Sequence, residues 1–226
     1  PANITLIATP DDVLEASANR LANSGCMRPG DIALHCSGAL ASTILASLKN
    51  CGVHVASIHP LKSFATPSLA IKNFAGTYCG HEGDAEALET LLPLFSAIGA
   101  NCFAINPAQK TLYHASAVLA CNAMVALMHA ALQSMAAAGV PPETAWPALR
   151  PLIDGTLSNI DKLGTEGALT GPIVRGDMQS VAHQYAALHI LNPELGEVYA
   201  TLGKFTASLA PLSDAQRQHL HNILRG

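Results

Sequence analysis

The feature that most restricts the fold of this chain is an alternation of short apolar runs with helical patterns over its first hundred residues. Strands are predicted at residues 4–9, 31–36 and 53–58, and the helical patterns between them begin near Asp11 and Ser37. A strand, helix, strand order of this kind predicts an α/β fold, in which right-handed crossovers join the strands of a parallel sheet.

The pattern changes near residue 106. Before it, strands at 73–80 and 101–106 flank a predicted helix; after Pro107 the chain reads as nearly continuous helix, starting with a long helix from about Ala108 to Ala138. We therefore predict two domains, an α/β domain over residues 1–106 and an all-helical domain over residues 107–226, with no flexible linker between them.

Residues 115–140 are apolar enough to suggest a membrane helix, but polar side chains interrupt them: Asn122, His129, Gln133 and Ser134. Polar groups are costly in a lipid core. We expect this helix to be buried on nearly all sides within protein, as the central helix of a helical domain or of a dimer.

Composition narrows the class of protein. The net charge is −4 and there is no basic run, so nothing favours a nucleic-acid partner. The six cysteines are scattered without a CxxC pair, which is typical of reduced thiols in a cytoplasmic protein and does not support a zinc site. We expect a soluble globular protein with no metal.

The segment SIHPLKSF, residues 57–64, places a histidine and a proline directly behind an apolar strand. In open α/β sheets the carboxyl ends of the strands form the ligand crevice, and a histidine there is suited to proton transfer. His59 is thus a candidate acid/base. The alternative is that Pro60 merely ends the strand and His59 bonds to nearby backbone.

Several strings in order, IATPDD, HCSGALAS, SIHPLKSFA, YHASAVLACN and LTGPIVRGD, resemble the Rossmann-like, DUF2520-domain proteins. These are NAD(P)-dependent oxidoreductases of the 6-phosphogluconate dehydrogenase-like superfamily. The resemblance implies that residues 1–106 are the C-terminal part of a dinucleotide-binding domain. It also implies that residues 107–226 form a helical domain through which the protein makes a homodimer.

The chain departs from this family at its beginning, because it has no GxGxxG turn of the kind that places a pyrophosphate on a helix N-terminus. We expect the first strands of the Rossmann-like sheet to be missing from this chain, although removal of an initiator methionine before Pro1 would also explain its first residue.

The resemblance implies a cofactor, NAD or NADP with NADP slightly favoured, lying over the ends of the first three strands. Its nicotinamide end would pass the backbone of Ala8, Thr9 and Pro10, and Ser37 and Gly38 would approach the ring. Ser37 has an equally good alternative as a helix N-cap. His59 is the implied acid/base, by analogy with related prephenate dehydrogenases.

The helical domain would supply the other wall of the site. Lys110, His114 and Cys121 share one helical face, with Asn122 beside it. His114 and Asn122 sit among apolar residues and need partners, either a substrate or backbone and Tyr113.

Three cationic residues, Lys62, Lys110 and Arg175, are candidates for binding an anionic substrate group. The alternatives are that Lys62 is simply solvated and that Arg175 forms an ion pair between domains.

Two functions from different classes follow. The first is an oxidoreductase that moves hydride to or from a small, carboxylated substrate, with His59 as acid/base and His114 and Asn122 orienting the substrate. The second is a non-catalytic dimeric binding or regulatory module that keeps the dehydrogenase architecture.

Overall fold

The computed structural model describes residues 3–64 and 66–225. The chain divides after Met124 into two compact units. The first unit contains a five-stranded sheet in the order β1-β2-β3-β4-β5. The strands are β1 Ile4–Ile7, β2 Ile32–His35, β3 His54–Pro60, β4 Tyr78–Gly83 and β5 Asn101–Ala104.

Helices follow these strands, and the helix predicted after the second strand is shorter than expected. They are α1 Asp11–Asn23, α2 Ala46–Lys49, α3 Pro67–Lys72, α4 Ala85–Ala97 and α5 Lys110–Ala117, with 3₁₀ turns at Ser42–Leu45 and Pro107–Gln109 and a π segment at Val118–Asn122. The helix expected from Ser37 begins only at Ser42, because residues 37–41 form a turn.

The sheet is mostly parallel, which confirms the predicted fold class. Strands β1, β2 and β3 are parallel neighbours, with Ile7 opposite His35 and His35 opposite Ser57. Strand β4 differs, since it runs antiparallel to β3, with His59 opposite Gly80. The described residues between them include the short α3, and the chain returns to the end of β3, where the Leu61 N–H donates to the Tyr78 carbonyl at 2.8 Å.

Alternating side chains of the strands feed two cores, one on each face of the sheet. Along β2, Ala33 packs with Leu14 and Leu45, from α1 and the 3₁₀ turn, on one face. Its neighbours on the strand, Ile32 and Leu34, pack with residues of α4 on the other face, including Leu91. Coverage on both faces is what makes these strands continuously apolar in the sequence.

The second unit is helical. Its helices are α7 Pro142–Gly167, α8 Met178–Leu191, α9 Pro193–Leu209 and α10 Asp214–Ile223. A core of Val181, Tyr185, Ala200, Leu220 and Leu224 joins the last three. Asp177 caps α8, because its side chain accepts from the Ser180 N–H at 3.1 Å.

Helix α6, Ala123–Ala137, continues from the π segment, so residues 107–137 form one helical run. This run is long and apolar enough to cross a membrane, with a mean hydropathy of 1.7, judged by length and composition alone. None of its most apolar window is buried in the chain. The expected burial on nearly all sides is therefore not met within a single copy.

Candidate active site

The candidate site lies at the carboxyl edge of the three parallel strands. Residues Ala8 to Pro10 follow β1, Ser37 and Gly38 follow β2, and His59 is the last residue but one of β3. Because parallel strands point the same way, these segments meet at one edge of the sheet.

Ser37 ties two of these segments together. Its hydroxyl donates to Asp11 Oδ2 at 2.8 Å and accepts from the N–H groups of Ala39 and Leu40 at 3.2 and 3.0 Å. Ser37 therefore caps the turn after β2 and holds that turn against the start of α1. This role is close to the alternative predicted for Ser37, a helix N-cap.

A cluster of rings surrounds His59. Its Nδ1 lies 2.9 Å from the Tyr113 hydroxyl, and its ring contacts that of His114 edge to face with centroids 5.7 Å apart. Tyr113 and His114 both come from α5. The structure thus brings together His59 and His114, two residues that the sequence had placed in different domains.

Gly38 lies directly beneath the two imidazoles. A Cβ atom built on Gly38 would lie 2.7 Å from His59 Nε2 and closer still to His114 Nδ1. Any side chain at position 38 would therefore displace a histidine. We call Gly38 and the two ring nitrogens that lie against it the two-histidine notch.

The notch contains a polar atom that needs a partner. His114 Nδ1 is buried and makes no hydrogen bond within the part of the chain that the structure describes. An unpaired buried polar group costs about 1 to 3 kcal/mol. Since this nitrogen is closed to solvent and the two rings lie against Gly38, a ligand atom would reach both nitrogens only if the rings moved.

Burial sets the protonation of the cluster. It lowers the pKa of His59 to about 4, with His114 and Lys110 adding smaller effects of the same sign. Burial also raises the pKa of Tyr113, and the backbone N–H of Gly80 opposes that change only in part. At neutral pH the site therefore presents a neutral imidazole beside a protonated phenol.

A buried ion pair lies beneath the cluster. Lys110 is 1% exposed and its Nζ lies 3.0 Å from Glu82 Oε1, in β4. Lys110 also donates to Ser57 Oγ. Glu82 accepts from the N–H and the hydroxyl of Ser42 at 2.8 and 2.6 Å. Every oxygen of the carboxylate is thereby satisfied.

The ion pair fixes the helix that carries the cluster. Lys110 is the first residue of α5, and Tyr113 and His114 follow at i+3 and i+4, on the same helical face. Holding Lys110 against β4 and β3 therefore fixes where those two rings lie. In this arrangement the Lys110 amine donates hydrogen bonds to Glu82 and Ser57. The binding of a substrate anion by Lys110 stays a prediction.

The other predicted residues lie in more exposed places. Lys62 donates to the Asn73 carbonyl at 2.6 Å. Cys121 and Asn122 lie in the π segment and are exposed. Arg175 is exposed on the loop before α8, in the second unit. The structure does not test the roles predicted for these residues.

The strand ends also offer groups that a dinucleotide could use. The Thr9 hydroxyl is buried and unpaired among the described residues, while Ala8 and Pro10 on either side of it are exposed. An orphaned hydroxyl between accessible backbone groups fits a ribose or amide that would bind across the end of β1. The described residues contain no group of three or more His, Cys, Asp or Glu able to hold a metal ion.

Sequence reasoning missed Glu82 and His35 and named Tyr113 only as a possible partner of His114 and Asn122. His35 is buried in β2, where its Nδ1 accepts from the Ser37 N–H at 3.1 Å. Glu82 lies just beyond the strand predicted at 73–80, and its local sequence carries no signal of its role. Tyr113 could have been suspected because it shares a helical face with Lys110 and His114.

The sheet, the ligand edge and the helical second unit define a Rossmann-like protein, and a Rossmann-like domain matches residues 1–60. The DUF2520 domain, a domain of unknown function, matches residues 77–206. The chain belongs to the DUF2520 family, as the sequence motifs had indicated. No curated protein is significantly similar to it in sequence.

Solved structures share the whole architecture. Protein TM1727 from Thermotoga maritima is 29% identical with a TM-score of 0.72, over 92% of this chain and 78% of that one. A candidate NADP oxidoreductase, BF3122 from Bacteroides fragilis, is 19% identical with a TM-score of 0.71, over 92% and 76%. A reductive aminase from Aspergillus terreus, in complex with NADPH and ethyl levulinate, is 12% identical with a TM-score of 0.56, over 98% and 72%.

Proposed function

We propose that this protein is an NAD(P)-dependent oxidoreductase that moves hydride between a nicotinamide and a small, carboxylated substrate. The observation that carries the proposal is the two-histidine notch, in which His59 Nε2 and His114 Nδ1, the latter buried and unpaired among the described residues, lie together against Gly38 at the carboxyl edge of the parallel strands. A reacting oxygen that replaced their contact with Gly38 would meet two imidazole nitrogens.

The fold supports the same reaction class. Two of the structural neighbours named above carry NADP or NADPH in their descriptions. These two neighbours resemble this chain in fold, and their cofactors favour NADP over NAD as the cofactor of this chain. A bound nicotinamide would supply or take up a hydride at its C4 atom.

The residues at the strand ends would then bind the cofactor. Ala8 and Pro10 would pack against ribose through their backbone, and the Thr9 hydroxyl would gain the partner that it lacks. Gly38 would keep the two imidazoles at the strand ends, since any side chain there would displace them. Ser37 would keep the turn after β2 in place through its bond to Asp11.

His59 would act as the general acid that donates the proton in the reductive direction. In that direction a carbonyl carbon gains the hydride and its oxygen gains a proton, and His59 Nε2 lies in the notch where that oxygen would bind. His114 would hold the same oxygen in place. Asn122, Lys62, Lys110 and Arg175 remain candidates for orienting the substrate and binding its carboxylate.

The cellular setting is also a proposal. We infer a homodimer through the helical domain, because the exposed apolar run at 107–137 needs a cover. All six cysteines are free, which favours the cytoplasm.

The test is the variant His59→Asn in the complete protein, assayed with NADPH and a panel of short 2-oxo acids. We expect kcat to fall by about 100-fold or more, the usual contribution of general acid–base catalysis, with the Kd for NADPH little changed. His219→Asn, at an exposed position on α10, is the matched control and should leave kcat unchanged.

Thermal unfolding of both variants separates a catalytic from a structural role. A purely structural His59 would lower the Tm and leave turnover per folded molecule intact, which would contradict the proposal. A protein that binds NADPH but turns over none of the panel would favour the alternative of a non-catalytic binding module.

A further inference from the structure

The bond between Tyr113 and His59 has two possible directions, and the direction decides what His59 offers to a ligand. If the phenol donates to Nδ1, the imidazole proton lies on Nε2 and makes it a donor in the two-histidine notch. If Nδ1–H donates to the phenol, Nε2 has a lone pair there instead.

The charge states of the two side chains decide which ring nitrogen of His59 carries its single proton. The imidazole is neutral at neutral pH, because burial lowers its pKa to about 4. The phenol keeps its proton, because burial raises its pKa. A phenol O–H is a far stronger acid than a neutral imidazole N–H, and an imidazole nitrogen is a better base than a phenol oxygen. The stronger bond is therefore the one that the phenol donates.

Gly80 determines where the phenol lies. A Cβ atom at Gly80 would be 2.6 Å from the Tyr113 hydroxyl, so the absence of a side chain lets that hydroxyl lie against β4 and within 2.9 Å of His59 Nδ1. Gly80 and Gly38 thus allow backbone to approach the two ends of the same relay.

We propose that Tyr113 holds His59 as the Nε2–H tautomer and replaces the proton that His59 gives up, so that His59 offers a hydrogen-bond donor to a carbonyl oxygen. This inference rests on the proposed function. Tyr113 does not touch the substrate and acts through His59, which makes it a positioning residue.

The proton balance closes without a further reagent. As hydride reaches the carbonyl carbon, the oxygen takes the Nε2 proton of His59, while Nδ1 takes the hydroxyl proton of Tyr113. The Nε2–H and O–H bonds break, and an alcohol O–H and an Nδ1–H bond form. Nδ1 then returns its proton to the phenolate while Nε2 takes a proton from solvent, so that His59 is again the Nε2–H tautomer and Tyr113 a phenol. The direction is favourable because an alkoxide is a much stronger base than a phenolate.

The tautomer also selects the substrate class. A carbonyl oxygen accepts hydrogen bonds and is stabilised by a donor as negative charge develops on it. A protonated imine carries an N–H, which needs an acceptor in the notch and would leave two hydrogens facing each other at His59. We therefore assign the notch to ketones or aldehydes rather than to protonated imines.

The decisive measurement needs no substrate. Long-range ¹H–¹⁵N NMR of protein with labelled histidine identifies which ring nitrogen carries the proton, and His59→Asn assigns the signals. We expect Nε2 of His59 to be protonated and Nδ1 to be a hydrogen-bond acceptor. In Tyr113→Phe the Nδ1 signal should move toward that of a free imidazole nitrogen. Tyr78→Phe, at an exposed tyrosine of β4, should leave it unchanged.

Kinetics on the same variants complete the test. Tyr113→Phe should lower kcat for a 2-oxo acid by about 100-fold, with little change in KM. Activity on matched cyclic imino acids should stay well below that on 2-oxo acids. A proton on Nδ1 in the wild-type protein, or an unchanged kcat in Tyr113→Phe, would overturn the inference.

The two proposals fail in different ways. If His59→Asn abolishes turnover while NMR finds the proton on Nδ1, the oxidoreductase proposal stands and only the role of Tyr113 falls. If His59→Asn leaves turnover unchanged, the acid/base role of His59 falls, and with it the relay.

Discussion

The buried pair of Lys110 and Glu82 predicts a large stability effect from one substitution. In Lys110→Met the Glu82 carboxylate, 3% exposed, keeps its bonds to Ser42 but loses its counter-charge. Removing one partner of a buried ion pair costs about 3 to 5 kcal/mol, because the remaining charge is left uncompensated away from water. We expect a loss of this size in the free energy of unfolding.

Urea unfolding followed by far-UV circular dichroism measures this loss, and a double-mutant cycle isolates the pair. Lys110→Met with Glu82→Gln should recover about 2 kcal/mol relative to the sum of the single variants. The exposed Arg150–Asp154 pair of α7 is the control, and Arg150→Met should cost no more than about 0.5 kcal/mol. A loss below about 1 kcal/mol for Lys110→Met would refute the reasoning.

Three further predictions concern packing, pH and assembly. Gly38→Ala should lower both kcat and the urea midpoint, because its Cβ would meet two imidazoles, whereas Gly155→Ala, with open space around it, should not. Burial lowers the pKa of His35 to about 4, below its unfolded value of 6.5. Its contribution to stability is therefore complete above about pH 6.5 and lost as the pH falls toward 4. Between about pH 7 and about pH 4.5 the wild type should lose about 2 kcal/mol more than His35→Gln. Analytical ultracentrifugation should find a dimer at micromolar concentration, and Leu119→Glu, on the exposed apolar run, should dissociate it.

The fold could be predicted from the sequence because its signals are local. Apolar runs at β1, β2 and β3 alternate with helical patterns, and each element is short enough to be recognised within its own window. The direction of β4 could not be predicted in this way. It depends on where the connection after β3 returns to the sheet, and the apolar pattern of a strand is the same for either direction.

The site could be predicted only in part, for a related reason. The role of His59 could be predicted, because a histidine and a proline behind an apolar run mark a strand end. The role of Glu82 could not be predicted, because it depends on Lys110, which follows Glu82 by 28 positions and contacts it only when α5 packs on the sheet. Tyr113 was recognised only as a possible partner, since its effect is exerted on His59 and not on a ligand.

Two glycines connect these observations. Gly38 allows the imidazoles of His59 and His114 to face the turn after β2, and Gly80 allows the Tyr113 hydroxyl to lie on β4. Both positions lie where helix α5 crosses the sheet edge, and α5 is held there by the Lys110–Glu82 pair. The ion pair, the glycines and the rings therefore form one unit. A change in any of them should alter the geometry of the two-histidine notch.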